Sequence, residues 1–125
     1  MAIEPNDVLV NLLRSTIVGL VRDEQKDLTT RQLGIFLRCY LVDGPHTVRG
    51  LALDLKVPRP SITRALDRLE AMDLARRKRD DKDRRSVLVV RTVEGTAFLR
   101  ALRASMIEAA RAGKSPAAPK SLVAG

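Results

Sequence analysis

The first stretch of the chain has the hydrophobic pattern of a helix. Pro5 suits a first helical position, and from there to residue 26 apolar side chains recur every three or four residues. These side chains are Leu9, Leu12, Leu13, Ile17, Leu20 and Val21. Val8, Val10 and Val18 widen the apolar stripe beyond what one core-facing surface needs. We therefore predict a helix over residues 5–26 that packs on two sides, with a second subunit as a candidate partner.

A second helix is predicted to begin at a capping box. Thr29 is followed three residues later by Gln32, and Leu28 before the cap is placed to contact Leu33. Apolar residues then form two stripes on opposite sides of the helix. One consists of Leu33, Phe36, Leu37, Tyr40 and Leu41, the other of Ile35, Cys39 and Val42. The helix is predicted to be central, to be buried on two faces and to end at residues 43–45.

Two further helices are predicted, with a tight turn between them. Thr47 is placed to cap the first. The apolar residues that share one face of it are Val48, Leu51, Ala52 and Leu55. Pro60 fits the first turn of the next helix, predicted over residues 60–72, whereas Arg59, which precedes a proline, is expected to lie outside it. Two helices separated by so short a turn are typical of a helix-turn-helix.

After residue 74 the pattern changes to two short strands. Strand-like runs lie around residues 75–78 and 86–92, and the second is strongly β-favouring. The polar stretch 79–85 between them is predicted to be a hairpin loop. Thr92 is placed to cap a last helix that ends near Gly113. The predicted fold is mainly α with a small β-hairpin wing, a winged helix-turn-helix in the order α-α-α-α-β-β-α. We expect one domain over residues 1–113 and a flexible tail over residues 114–125.

The distribution of charge points to a polyanionic partner. The chain has 125 residues and a formal net charge of +8. Residues 56–91 contain twelve Lys/Arg against six Asp/Glu, whereas residues 1–55 contain six against seven. Net charge alone does not distinguish DNA from RNA, membranes or acidic proteins. Its concentration in one segment is typical of an element that contacts nucleic acid, and the scarcity of aromatic residues argues against recognition of single strands by stacking.

The predicted fourth helix has a polar edge suited to a DNA groove. A helical wheel places Ser61, Arg64 and Arg68 on one arc, next to a buried arc. The buried arc consists of Ile62, Ala65, Leu66, Leu69 and Met72. We predict that Ser61 and Arg64 contact bases in the major groove and that Arg59, Thr63 and Arg68 contact phosphates. The alternative is an ordinary solvated face, on which Asp67 and Glu70 pair with basic neighbours at helical spacing.

The hairpin is the second predicted DNA contact. Arg84 or Arg85 at its tip is predicted to enter the minor groove, with Asp81 or Asp83 bracing that arginine by an ion pair. Three further basic residues are predicted to contact phosphates, namely Lys78, Arg79 and Lys82. The alternative is a solvent-exposed turn that does not contact DNA, because the three aspartates reduce the net charge of residues 79–85 to +1.

Four motifs occur in an order that resembles a known family. They are LTTRQL at residues 28–33, SITRALDRLE at 61–70, DDKDRRSVLV at 80–89 and TVEG at 92–95. In this order they resemble the second helix, recognition helix, wing and last-helix start of the MarR family of bacterial transcription regulators. The resemblance covers residues 28–103, about three-fifths of the chain.

The resemblance implies a homodimer that binds a near-palindromic operator and represses transcription until a small ligand or cysteine oxidation relieves it. The subunits are expected to associate through helix 5–26 and helix 93–112. The last helix departs from the family in being shorter. No residue set in this sequence identifies an effector.

Other residues give little sign of further chemistry. Cys39 shares a helix face with Ile35 and Val42, which indicates a buried structural thiol rather than a redox sensor. His46 has no neighbouring cluster of metal ligands, and a capping or solvent-facing role is expected. We expect no enzymatic activity, no metal and no cofactor. The chain has no apolar run long enough for a membrane span, and the expected location is the bacterial cytoplasm, in association with the nucleoid.

Three functions remain open from the sequence. The first is a sequence-specific regulator that binds double-stranded DNA. The second is a winged-helix module that binds a protein partner through its apolar terminal helices. The third is an architectural DNA-binding protein that tolerates many sequences. The measured ratio of specific to non-specific DNA affinity distinguishes them.

Overall fold

A computed structural model describes residues 7–114, and its element order matches the predicted winged helix-turn-helix. The helices are α1 (Val8–Arg22), α2 (Thr30–Leu41), α3 (Val48–Leu55), α4 (Arg59–Ala71) and α5 (Val93–Lys114), with a short 3-10 helix at Glu24–Lys26. The strands are β1 (His46–Thr47), β2 (Arg76–Arg79) and β3 (Val87–Val90). Residues 28–99 form one compact unit, and residues 7–27 and 100–114 belong to another.

The sheet has one strand more than predicted. Its order is β1-β3-β2, with both pairings antiparallel. Val89 at the centre lies opposite His46 of β1 and Arg77 of β2. The β1 strand was not predicted because two residues are too few to show an alternating pattern.

The core of the unit 28–99 is built mainly from α2 and α4. Phe36 stacks on Tyr40 with ring centroids 4.3 Å apart and meets Phe98 edge-on at 5.1 Å. The largest fully buried side chains are Phe36, Ile35, Leu51, Ile62, Leu66, Leu69 and Leu74. The prediction that α2 is central is confirmed, although Leu41 and Val42 at its end are exposed because the helix stops there.

Two helix starts agree closely with the sequence. The Thr29 hydroxyl accepts a hydrogen bond from Gln32 N at 3.1 Å, and the Gln32 side chain accepts one from Thr29 N at 3.0 Å. This is the complete capping box. The Thr47 side chain likewise accepts a hydrogen bond from Gly50 N at 2.9 Å and caps α3.

Some helix boundaries differ from the predictions. α1 ends at Arg22 because the Asp23 carboxylate accepts a hydrogen bond from Gln25 N and starts the 3-10 turn instead. The predicted role of Pro5 lies outside the described residues, as does the predicted tail beyond residue 114. Arg59 was expected outside the fourth helix but is its first residue, with Pro58 as the cap. Pro60 is then in the first turn, where its missing N–H interrupts no intrahelical hydrogen bond.

Tyr40 joins the end of α2 to the start of α5. Its hydroxyl donates a hydrogen bond to Leu74 O at 2.8 Å and accepts one from Thr92 N at 2.9 Å. The Thr92 side chain accepts a hydrogen bond from Gly95 N at 2.8 Å, which confirms its predicted capping role. Gly95 is buried against the Tyr40 hydroxyl, in a space too small for a Cβ atom.

In the unit formed by residues 7–27 and 100–114, α1 has an exposed apolar stripe. Five large apolar side chains lie within an arc of roughly 120° when plotted at about 100° per residue. They are Leu9, Val10, Leu13, Ile17 and Val21, each between 40% and 75% exposed. No helix among the described residues is long and apolar enough to cross a membrane.

Candidate nucleic-acid interface

α4 has one buried face and one basic face. Ile62, Ala65, Leu66 and Leu69 are buried and Met72 is half-buried, as the helical wheel predicted. Thr63, Arg64 and Arg68 are exposed, and Ser61 in the first turn is half-buried. The structure therefore places the predicted contact residues of α4 at the surface of the helix, beside the buried arc.

Six basic side chains of α4 and the wing have no acidic partner. Within residues 7–114 none of the six forms an ion pair or a side-chain hydrogen bond. They are Arg59, Arg64, Arg68, Lys78, Lys82 and Arg84, and all are exposed. Uncompensated cations on adjacent elements attract a polyanion more strongly than cations already paired with carboxylates.

The two acidic residues of α4 bind the wing rather than their helical neighbours. Arg77 on β2 donates from Nη2 to Asp67 Oδ1 at 2.6 Å and to Glu70 Oε1 at 2.5 Å. Its Nε donates to Glu70 Oε1 at 3.0 Å, and its backbone N–H donates to Glu70 Oε2 at 2.9 Å. The pairing at helical spacing that the solvated-face alternative assumed is therefore not observed, because both carboxylates pair with Arg77.

The hydrogen bonds between Glu70 and Arg77 shift the pKa of both groups. The side-chain and backbone hydrogen bonds from Arg77 lower the pKa of Glu70, against a smaller opposing effect of burial. Desolvation lowers the pKa of Arg77, but its bonds to Glu70 and Asp67 outweigh that effect, so the net pKa is raised. Both groups are therefore charged at neutral pH.

The aspartates of the wing loop hold its turns. Asp80 Oδ1 accepts a hydrogen bond from Lys82 N at 2.9 Å, and Asp83 Oδ1 accepts one from Arg85 N at 3.1 Å. The predicted brace is present as an ion pair of 3.7 Å between Asp83 and Arg85, although the Arg85 side chain is 94% exposed and the pair contributes little stability. Arg79 donates to the carbonyl oxygen of Arg84 and so closes the loop.

All ten predicted contact residues lie on α4 or on the wing, and their contact with DNA stays a prediction. Arg77, the half-buried member of a run of basic residues, was not among the predicted site residues. The alternating pattern of a strand was the available signal, because it directs Arg77 and its neighbours to opposite faces. The pattern does not show which carboxylates lie on the facing element.

Cys39 is buried, as predicted, and its chemistry follows from that burial. Burial raises the pKa of the thiol to about 11, against smaller lowering effects of Arg91 and Arg38. Arg91 Nε donates a hydrogen bond to the Cys39 carbonyl oxygen at 3.0 Å. His46 is half-buried on β1, with Nε2 2.7 Å from Val42 O, where it contacts the end of α2.

We expect Cys39 to react slowly with a disulfide reagent such as DTNB in the native protein. With a pKa of about 11 the thiolate is scarce at pH 8. The native rate should be about 100-fold or more below that of the same protein in denaturant. Absorbance of the released thiolate measures both rates. Equal rates in native buffer and in denaturant would show that the thiol is accessible and reactive.

The basic face and the fold together define a winged helix-turn-helix protein of the nucleic-acid-binding class. The sequence profile of the MarR family matches residues 26–86. Solved structures of MarR-type transcriptional regulators share the fold. The winged-helix segment of this chain is therefore of the MarR type.

Three solved structures illustrate the likeness. The structure of MarR is 26% identical, with a TM-score of 0.62, and the match covers 86% of this chain and 78% of that one. A transcriptional regulator from Thermotoga maritima is 24% identical, with a TM-score of 0.65 and coverages of 85% and 69%. MepR of S. aureus, solved in complex with DNA, is 22% identical, with a TM-score of 0.66 and coverages of 80% and 83%. No curated protein sequence matches the chain significantly.

Proposed function

We propose that this protein is a homodimeric repressor that binds a specific double-stranded DNA sequence, with α4 in the major groove and the wing at the minor groove. The observation that supports it most is the set of six uncompensated cations on α4 and the wing. A regulator of this kind acts on the nucleoid, in the bacterial cytoplasm. The function needs no metal, cofactor or catalytic residue.

The position of the polar side chains on α4 suits a groove. Ser61 and Arg64 lie about 4.5 Å apart along the helix axis, and Arg68 lies about 6 Å further on. A major groove of about 12 Å width admits a helix, and its N-terminal residues reach the bases first. Ser61 and Arg64 are therefore assigned to base contacts, with Arg59, Thr63 and Arg68 at phosphates.

The wing supplies the second contact in the proposal. Arg84 and Arg85 are exposed at its tip and are assigned to the minor groove, where narrow A·T-rich stretches attract guanidinium groups. Lys78 and Lys82 are assigned to phosphates. Arg79 keeps free donors beyond its bond to the Arg84 carbonyl and is assigned to a phosphate as well.

The proposed dimer uses α1 and α5. An exposed stripe of large aliphatic side chains on one helix is unfavourable in water and is stabilised by a second copy of the same surface. A twofold-symmetric dimer presents two copies of α4, which matches a palindromic operator with half-sites about one helical turn apart. The related MepR and AbfR have been solved bound to DNA.

The test is fluorescence anisotropy of the protein with a labelled fragment from upstream of its own gene. A scrambled duplex serves as competitor, and the measurement is repeated across a salt series. The proposal expects tight binding that resists the competitor and weakens steeply with salt, because phosphate contacts release counterions. Equal affinity for both duplexes would favour an architectural protein, and no binding at low salt would favour a protein-interaction module.

We expect Arg64→Ala to weaken operator binding in a sequence-dependent way. Losing a bidentate contact to guanine reduces the affinity by about 1–3 kcal/mol and relaxes the preference at one base pair. Anisotropy with a panel of single-base operator variants measures both effects.

Lys82→Ala is the matched comparison, because it removes one exposed cation from the wing and not from α4. It should weaken all sequences alike and reduce the salt slope by about one. Unchanged affinity in both variants would contradict the assignment of α4 as the recognition helix.

A further inference from the structure

Among the described residues, Arg77 is the wing residue whose side chain makes hydrogen bonds to α4. Arg77 donates hydrogen bonds from Nε, Nη2 and its backbone N–H to two acidic residues of α4, Asp67 and Glu70. Its Nη1 also lies 3.5 Å from Thr63 O. Its side chain is 23% exposed, against 67% for Arg76 next to it. Among the residues that the structure describes, Arg76 makes one ion pair, of 3.3 Å, to Asp73.

The contact joins α4 to the strand that leads into the hairpin loop. Arg77 lies opposite Val89 in the β2–β3 register, and Val89 is buried in the core. Glu70 binds both the guanidinium and the backbone N–H of Arg77, so it fixes the strand itself as well as the side chain. The loop 80–86, with Lys82 and Arg84, follows directly from this strand.

The same contact adjusts the charge of the basic face. Asp67 lies between Arg64 and Arg68 in sequence, and its side chain is 61% exposed. A free carboxylate beside these arginines repels DNA phosphates. The guanidinium of Arg77 neutralises part of the negative charge of Asp67. Because Arg77 is itself paired, it is not one of the six uncompensated cations.

We propose that Glu70 and Arg77 are positioning residues, which set the wing relative to α4 so that both elements contact one DNA duplex at the same time. The inference rests on the proposed function, because it requires DNA binding by both elements. It assigns to Arg77 a role different from that of the other basic residues in β2. Arg77 does not contact DNA and acts through Lys82 and Arg84.

The test compares Arg77→Lys with Arg76→Lys in the full chain. Both substitutions keep the net charge, and they concern adjacent residues of the same strand. Lysine lacks the planar fork that binds Glu70 through Nε and Nη2 together. We expect Arg77→Lys to weaken binding to the upstream fragment by about 3- to 10-fold and Arg76→Lys to change it less than about 2-fold. Glu70→Gln, with Asp73→Asn as its control, should reproduce the difference.

A second measurement separates positioning from loss of stability. Lys82→Ala is combined with Arg77→Lys, and the loss caused by Lys82→Ala is compared in the two backgrounds. If Arg77 positions the wing, that loss is smaller in the Arg77→Lys background, because a misplaced tip no longer reaches its phosphate. Urea unfolding of each variant shows that the folded fraction is unchanged under the binding conditions.

The outcomes distinguish the two proposals. An equal loss from Lys82→Ala in both backgrounds overturns the positioning role while leaving DNA binding intact. The same holds if Lys82→Ala has no effect in the wild-type protein, because the wing then makes no contact to be positioned. A wild-type protein that binds neither duplex overturns both proposals.

Discussion

Replacing Gly95 with alanine is expected to lower the free energy of unfolding by about 3 kcal/mol. A Cβ atom at this position would overlap Tyr40 Oη and would lie 2.5 Å from the Leu74 carbonyl oxygen. Neither atom is the end of a freely moving chain, because the Tyr40 hydroxyl bonds to Leu74 O and to Thr92 N. The added methyl group must therefore displace the ring or open the start of α5, and either change breaks buried hydrogen bonds.

Urea unfolding followed by circular dichroism measures this effect. Gly34→Ala is the matched control, because Gly34 lies inside α2 and nothing approaches its added Cβ within 4 Å. Alanine there should stabilise the protein by about 0.5–1 kcal/mol through its higher helix propensity. Two identical substitutions are thus expected to change stability in opposite directions. Equal unfolding midpoints for the two variants would refute the close packing described at Gly95.

The second large effect is expected from Leu13→Glu. Leu13 lies in the middle of the α1 stripe and is 57% exposed. In the proposed homodimer the substitution places a carboxylate in an apolar contact, once from each subunit. We expect the dimer dissociation constant to rise by about 100-fold or more. Operator affinity should then fall toward the non-specific range of about 10⁻⁴–10⁻⁶ M, since one subunit occupies only one half-site.

Analytical ultracentrifugation and anisotropy on the same samples test this expectation. Val8→Glu is the control, because Val8 has a similar exposure of 52% but points about 140° away from Leu13 on the helical wheel. It should leave both the assembly and the affinity unchanged. A Leu13→Glu protein that remains dimeric would place the subunit contact elsewhere on the molecule.

The features that the sequence predicted well are local ones. The capping box at Thr29 and the cap at Thr47 depend on residues three apart in the chain, and both are present. The buried arc of α4 follows from helical geometry alone. These features need no information about which other element lies nearby.

The features that were missed depend on contacts between distant segments. β1 forms because His46 meets Val89, more than forty residues away in the chain. The partner of Glu70 is Arg77, which a turn brings back onto α4. Strand alternation places Arg77 on the face opposite its two basic neighbours, but the sequence does not show that two carboxylates lie on that face. Only the three-dimensional pairing shows which of these cations is already neutralised.

The position of β2 has a consequence for how two copies can meet. β2 is an edge strand, and its four residues are all basic. Lysine and arginine along an exposed edge oppose the addition of a further strand, because a second copy would bring like charges side by side. Addition of a strand from a second copy at the β2 edge is therefore disfavoured. Three of the four residues are exposed charges that oppose strand addition, and the backbone N–H of the fourth, Arg77, is already bonded to Glu70 Oε2.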